Sequence, residues 1–298
     1  MGSWARPLLK LRQETAFYLF ALPFAALTLV FGVWPILLSI RVSFAPSATA
    51  LRSSPGWVGL ANYAAVLMDP LFLDSLLRTL GYTAAAVTLN LAFALAYAVL
   101  LDGPALGRGR AFFKLAVFLP VVTPDVAGYV VWRWLYDQSY GAVNAALAIL
   151  GLPEFGGLAR PGTAVPALLV AELWHHAGFY VVVFLANLAV LDKALTEAAM
   201  VDGAGAWARF RHVILPQMRP SLTVNAVYAL IQFLKTFTVV VVMTKGGPAD
   251  ATNFVSYYAY QLFDQAQYGR ATAMATILFG VVGLVGLSAY AAAGRTRA

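Results

Sequence analysis

The sequence predicts an all-α integral membrane protein with six spanning helices, and three observations carry that prediction. Hydrophobic residues make up 61% of the 298-residue chain and charged residues only 11%, with a mean hydropathy of +0.76; a water-soluble domain does not have this balance. The apolar residues gather into six runs, each long enough to cross a bilayer as a helix of about 20 residues. The basic residues sit in short clusters between those runs, so the formal net charge of +7 points to anionic lipid headgroups, not to nucleic acid. Cysteine is absent, which excludes disulfides, thiolate metal sites and cysteine nucleophiles.

The first run, Ala16 to Ile40, is too long for a signal-peptide core and has no small-residue cleavage site after it. It reads as a retained anchor, kinked but not ended by Pro23 and Pro35. From Phe44 to Arg78 the breakers Pro46, Pro55-Gly56 and Pro70 predict short interfacial helices. The second run, Thr79 to Leu101, is apolar except for Asn90, which suits a hydrogen bond to another helix. The third, Ala111 to Tyr136, contains Leu119-Pro120 and Pro124-Asp125, read as a helix-breaking turn, and ends in Trp132-Arg133-Trp134-Leu135-Tyr136, which fits an aromatic belt. A loop with Gly141, Asn144 and residues 151–162 follows. The fourth run, Thr163 to Leu191, carries Glu172, Trp174, His175, His176 and Gly178. The fifth, Leu222 to Met243, carries Gln232, Lys235 and Thr236 and stops at Thr244-Lys245-Gly246-Gly247-Pro248, where glycine and proline force a tight turn. The sixth is Ala271 to Ala293. No repeat is apparent, so residues 1–298 are expected to form one transmembrane domain.

Six spans place both termini on one side of the membrane. With that side cytoplasmic, it holds twelve of the 20 Lys and Arg residues and the opposite side seven, Lys235 lying inside the fifth run. The positive-inside bias therefore puts residues 192–220, between runs four and five, in the cytoplasm.

That segment is a charged island: Glu197-Ala198-Ala199-Met200-Val201-Asp202-Gly203-Ala204, then Phe210, Ile214, Leu215-Pro216 and Pro220. Its small residues, including Ala198, Ala199 and Gly203, let another surface approach the backbone closely. Trp207, Phe210 and Ile214 recur at helical spacing and give one apolar edge. The pattern predicts a docking helix pair. The order of residues resembles the cytoplasmic "EAA" loop of binding-protein-dependent ABC importer permeases. Trp57-Val58-Gly59-Leu60-Ala61-Asn62-Tyr63 resembles a second segment of that family. The Thr244 to Pro248 ending, with Tyr268-Gly269-Arg270-Ala271, is similar to the carbohydrate-uptake branch, typified by maltose and glycerol-phosphate permeases. Two positions depart from the family pattern. Leu191-Asp192 stands where Ile-Pro is usual, and Asp192 is suited to cap the first docking helix; Thr238 replaces an acidic residue.

The resemblance implies a MetI-like transmembrane fold in which the loop between helices four and five seats in an ATP-hydrolysing subunit. Glu197, Ala198, Ala199, Asp202, Gly203, Phe210, Leu215 and Pro216 would carry the coupling. It also implies a second homologous permease, an ATPase dimer and an extracytoplasmic solute-binding protein, assembled in a bacterial or archaeal inner membrane. ATP and Mg would sit on the ATPase, leaving no cofactor or metal in this chain. By the same resemblance, Trp174, Gly178, Gln232, Lys235 and Thr236 would line the path of a sugar, oligosaccharide or glycerol-phosphate-like polyol.

The residues themselves support parts of this. No Gly-Lys dipeptide occurs, so the chain lacks a phosphate-holding loop and is not read as an enzyme. Polar side chains within spans are costly and mark a pathway or a helix contact; Lys235 is too deep to snorkel out easily and fits a wet cavity. Aromatic faces with amide or ammonium donors suit a polyhydroxyl solute, although packing or contact with a partner permease suits the same residues. His175 and His176, being adjacent, point to different helix faces with no third ligand, and are expected to pack. The competing reading is a proton- or sodium-coupled secondary transporter. It has only Asp125 and Glu172 as carboxylates within spans, and no inverted repeat.

Overall fold

A computed structural model describes residues 18–46, 56–103, 107 and 109–295, which form helices and turns without a strand. The expected start of the first run at Ala16, the breaker Pro55 and the basic N-terminal cluster lie outside these residues. The helices, numbered in chain order, are α1 (Tyr18–Ser43), α2 (Ala61–Leu67), α3 (Pro70–Asp102), α4 (Arg110–Phe118), α5 (Asp125–Leu135), α6 (Ala142–Ile149) and α7 (Pro161–Ala189). After them come α8 (Lys193–Val201), α9 (Ala206–Arg209), α10 (Arg219–Leu234), α11 (Thr238–Met243), α12 (Val255–Asp264) and α13 (Tyr268–Arg295).

Four of the expected runs are helices long and apolar enough to span: Tyr18–Ser43, Pro70–Asp102, Pro161–Ala189 and Tyr268–Ser288. In α1 the expected kink at Pro35 takes the form of a π-helical stretch, Thr28–Val33, because proline lacks the N–H that would close the preceding turn. The second run starts at Pro70, earlier than expected at Thr79. Asp69 caps α3 by accepting from Leu71 N at 3.0 Å, and Pro70 falls in the first turn, where its missing N–H costs nothing.

Two runs are interrupted, the third at the helix-breaking turn expected there and the fifth against the expectation of a continuous span. The third is broken into Arg110–Val122 and Asp125–Leu135, bent by 103°. Its last turn before the bend is a 3-10 helix, Leu119–Val122, after which Thr123 and Pro124 are extended; a residue before proline avoids the helical region. The fifth is split into α10 and α11 at Lys235, Thr236 and Phe237. No proline or glycine causes this break. Lys235 sits at a helix end, not inside a spanning helix.

The chain divides into two compact units, one from Met1–Val66 with Leu262–Thr276, the other from Leu67–Gln261 with Ile277–Ala298. In the first unit the Trp57 to Tyr63 segment clamps the end of α1. Asn62 Nδ2 donates to the carbonyls of Ser43 and Ala45, both at 2.8 Å, Tyr63 Oη meets Ser43 Oγ at 2.6 Å, and Trp57 stacks on Phe44 with centroids 5.0 Å apart. Gly269 faces the same knot, where a Cβ would strike the Ala45 carbonyl and come within 2.6 Å of Asn62 Nδ2. Because two buried carbonyls lose their donor together, Asn62→Ala is expected to cost about 1–3 kcal/mol. A lower thermal midpoint of the purified protein would register it, and an unchanged midpoint would contradict it.

The second unit is built on α3 against α7. Tyr82, Ala86, Asn90, Ala94 and Ala98 recur every four residues along α3 and are all buried. They face Ala167, Leu168, Ala171 and Val181 of α7, within a core that α10 joins through Ala229 and Phe233. Small side chains let helix backbones approach closely where lipid supplies no hydrophobic drive. Asn90 donates to Ala86 O of its own helix at 2.9 Å, not across to another helix as its solitary position suggested.

Candidate functional site

The breaks in runs three and five, together with the middle of α7, frame the site. Two adjoining cavities of about 170 Å³ and 200 Å³ share Asp125, His176 and Gln232 in their walls. The first is completed by Val121, His175, Phe179, Tyr180 and Tyr228, and the second by Tyr129, Glu172, Lys235, Thr236, Phe237, Thr238 and Val239. Residues 235–237 reach the second cavity because the chain there leaves the helix, and Thr238 and Asp125 reach it as the first residues of the helices that follow the two breaks. Interrupted helices leave backbone and side-chain polar groups that are tolerated only where they line a cavity or are buried in protein.

A hydrogen-bonded network ties α5 to α7 beside these cavities. Tyr129 Oη donates to Glu172 Oε1 at 3.1 Å, His176 Nε2 lies 3.0 Å from Glu172 Oε2, and His175 Nε2 lies 3.0 Å from Asp125 Oδ1. Glu172 is only 4% exposed, and a buried carboxylate is stable there only because both oxygens have partners. The rings of Tyr129, Trp174 and His176 surround His175, with centroids 4.8 to 6.0 Å away. Among the described residues no three His, Asp or Glu side chains are grouped to hold a metal ion.

Of the residues expected along a solute path, Gln232, Lys235 and Thr236 come together on the second cavity. Trp174 and Gly178 line neither cavity. Trp174 turns toward α5, packed over Gly128 and edge-on to Trp132 at 5.9 Å. Gly178 is where α4 crosses α7: a Cβ there would run into the carbonyl oxygen of Val117. Both histidines, expected to pack, border the cavities. The sequence offered a signal for this that spacing alone made weak, since Glu172, His175 and His176 lie within one helical turn and find their partners on α5, across the bend.

The second candidate surface is the expected docking segment, 192–220. Asp192 caps α8, accepting from Ala194 N at 2.9 Å, so the departure from the family's Ile-Pro leaves the helix start intact. Glu197, Ala198 and Ala199 lie in α8; Asp202 closes it and Gly203 turns the chain with φ +78°. The following helix, α9, runs through a π-helical stretch at Phe210–Ile214 and a short α-helical piece at Leu215–Gln217 toward α10. Arg209 Nη1 returns to the Ala204 carbonyl at 2.6 Å and holds the turn. Leu195, Met200, Val201 and Trp207 are all more than half exposed. These apolar side chains are open on the segment, and exposed apolar side chains of this size suit contact with a partner when they are contiguous.

The family described as "Binding-protein-dependent transport system inner membrane component" matches residues 13–296. The chain is 32% identical over 274 residues to the trehalose/maltose transport system permease protein MalF of Thermococcus litoralis, covering 92% of each. It is also 32% identical over 284 residues to the sn-glycerol-3-phosphate transport system permease protein UgpA of Rhizobium meliloti, again covering 92% of each. Its fold is similar to a chain of a bacterial ABC transporter involved in the import of the acidic polysaccharide alginate, with a TM-score of 0.85 at 23% identity over 97% of this chain and 99% of that one.

Proposed function

The chain belongs to the binding-protein-dependent transport system inner membrane components, and from that premise we propose that it forms half of the translocation path of an ATP-driven importer for a sugar, oligosaccharide or polyol. It is a permease subunit of a transporter and not an enzyme. In this reading it pairs with a second permease, an ATPase dimer bearing ATP and Mg, and an extracytoplasmic solute-binding protein. It crosses the membrane six times with both termini cytoplasmic, the bent third and split fifth runs each counting as one crossing. The carbohydrate or polyol class is supported by its relatives, named as permeases for trehalose/maltose and for sn-glycerol 3-phosphate.

The observation that carries the solute reading is the convergence of Gln232, Lys235, Thr236 and Asp125 with the aromatic rings of Phe179 and Tyr228 on adjoining cavities. Hydroxyl-rich solutes need both kinds of wall, polar partners for their hydroxyls and flat apolar faces for their rings. ATPase closure reaches these cavities through the segment 192–220, whose relative motion with the spanning helices alternates their exposure.

Uptake by the complex reconstituted in liposomes tests the reading. Maltose or glycerol 3-phosphate is expected to accumulate with ATP and not with a non-hydrolysable analogue. Accumulation driven by a proton gradient without ATP would establish a secondary carrier instead. Within the cavity, Lys235→Ala removes a charged hydrogen-bond donor, a loss of about 1.5–3 kcal/mol where the bond is made. Uptake at low solute concentration is therefore expected to fall about tenfold or more, and unchanged uptake would remove Lys235 from the path.

A further inference from the structure

Two carboxylates reach the cavities, and their oxygens are engaged differently. Glu172 has none to offer: Oε1 accepts from Tyr129 and Oε2 is held by His176. It is a strut between α5 and α7. Asp125 is the opposite case, with a side chain 54% exposed. Its Oδ1 is held by His175 Nε2 at 3.0 Å, and among the described residues no partner takes its Oδ2 in this structure. Asp125 borders both cavities.

The geometry around His175 fixes where that oxygen points. The imidazole is 4% exposed and enclosed by the rings of Tyr129, Trp174 and His176. It therefore presents its Nε2 in one direction, as buried second partners do for other functional groups. A carboxylate within a spanning run is costly unless water or a ligand supplies donors to it. An ionised oxygen accepts hydroxyl hydrogen bonds more strongly than any neutral acceptor in the same walls.

We propose that Asp125 is the principal acceptor for hydroxyl groups of the transported solute, and that the buried His175 is its positioning residue. The solute class is then one that presents free hydroxyls to Asp125 while Gln232 and Thr236 meet the same molecule from α10 and the break after it. A site built to take a hydroxyl discriminates strongly against a molecule that lacks it, because the buried polar group is left unpaired. This inference rests on the importer reading, and its test separates the two.

The measurement is uptake by the whole complex in liposomes, using whichever of maltose and glycerol 3-phosphate the wild type transports better. Half-saturating concentration and maximal rate are compared for wild type, Asp125→Asn, Asp125→Ala, His175→Leu and His175→Gln. Both Asp125 variants are expected to raise the half-saturating concentration about tenfold or more, with the maximal rate changed by no more than about threefold. His175→Leu is expected to shift it in the same direction, whereas His175→Gln, which keeps a donor toward Oδ1, is expected to stay within about twofold of wild type. A half-saturating concentration within about twofold of wild type in both Asp125 variants overturns the proposal and leaves the importer reading standing. So does failure of both to assemble, since the side chain would then serve the fold. Equal effects of the two His175 variants overturn the positioning role. A wild-type complex that takes up neither solute overturns the importer reading and this inference with it.

Discussion

Gly178→Val is expected to abolish recovery of folded protein, and Gly178→Ala to reduce it. The cause is the crossing of α4 and α7, where a Cβ at Gly178 would meet the Val117 carbonyl oxygen, Val121 Cγ2 at 2.8 Å and the Val117 carbonyl carbon at 3.0 Å. Two of these atoms are backbone, so no side chain can turn aside. Adding a methyl group to a filled space costs about 1–3 kcal/mol when neighbours can shift, and here the helices themselves must separate. Detergent-extracted yield and thermal midpoint are the measures. Wild-type values for Gly178→Val would contradict the packing role. A raised half-saturating solute concentration at normal yield would return Gly178 to the solute path, where family resemblance first placed it.

The second large effect is expected at the turn between α8 and α9. Gly203 has φ +78° with nothing within 4 Å of its hypothetical Cβ, so a side chain there finds open space and pays only the left-handed backbone penalty, about 1–2 kcal/mol. Aspartate tolerates that region better than most residues. Gly203→Asp is therefore expected to fold and assemble, yet to place a charged side chain on the surface that we propose meets an ATPase. Uptake is expected to drop about tenfold or more, the equivalent of about 1.4 kcal/mol or more of lost contact, with the amount of assembled subunit unchanged. Uptake fully coupled to ATP hydrolysis in Gly203→Asp would remove Gly203 from the coupling surface.

What the sequence made legible follows from which physical signals are local. Long apolar runs and a cap such as Asp192 are written within a few residues, and α1, α3, α7 and α13 lie where the runs are. The turn at Gly246 and Pro248 is likewise local: Gly246 has φ +82°, and Thr252 Oγ1 closes the loop on the Gly247 carbonyl at 2.7 Å. The bend after Val122 was signalled by Pro120 and Pro124, but its 103° angle depends on what α5 packs against. The break at Lys235 had no proline or glycine to announce it.

The site was legible in part for the same reason. Gln232, Lys235 and Thr236 share a stretch of chain and reach one cavity. Trp174 and Gly178 share a helix with the cavity residues but face α5 and α4, and helix periodicity alone does not say which neighbour occupies which face. Asp125 read as a turn residue because its partner His175 lies on a different run. Only the fold brings the two to 3.0 Å.

We propose that force enters this subunit through residues 192–220 from an ATP-hydrolysing neighbour. Because the chain has no cysteine, a single Ala204→Cys in the turn after Gly203 gives an unambiguous attachment point for a short thiol-reactive cross-linker. In the assembled complex a cross-linked product containing this subunit and the ATPase is expected, its yield changing between nucleotide-free and ATP-bound states. A thiol that reacts freely with a bulky water-soluble maleimide and joins to no nucleotide-hydrolysing protein in either state would contradict it.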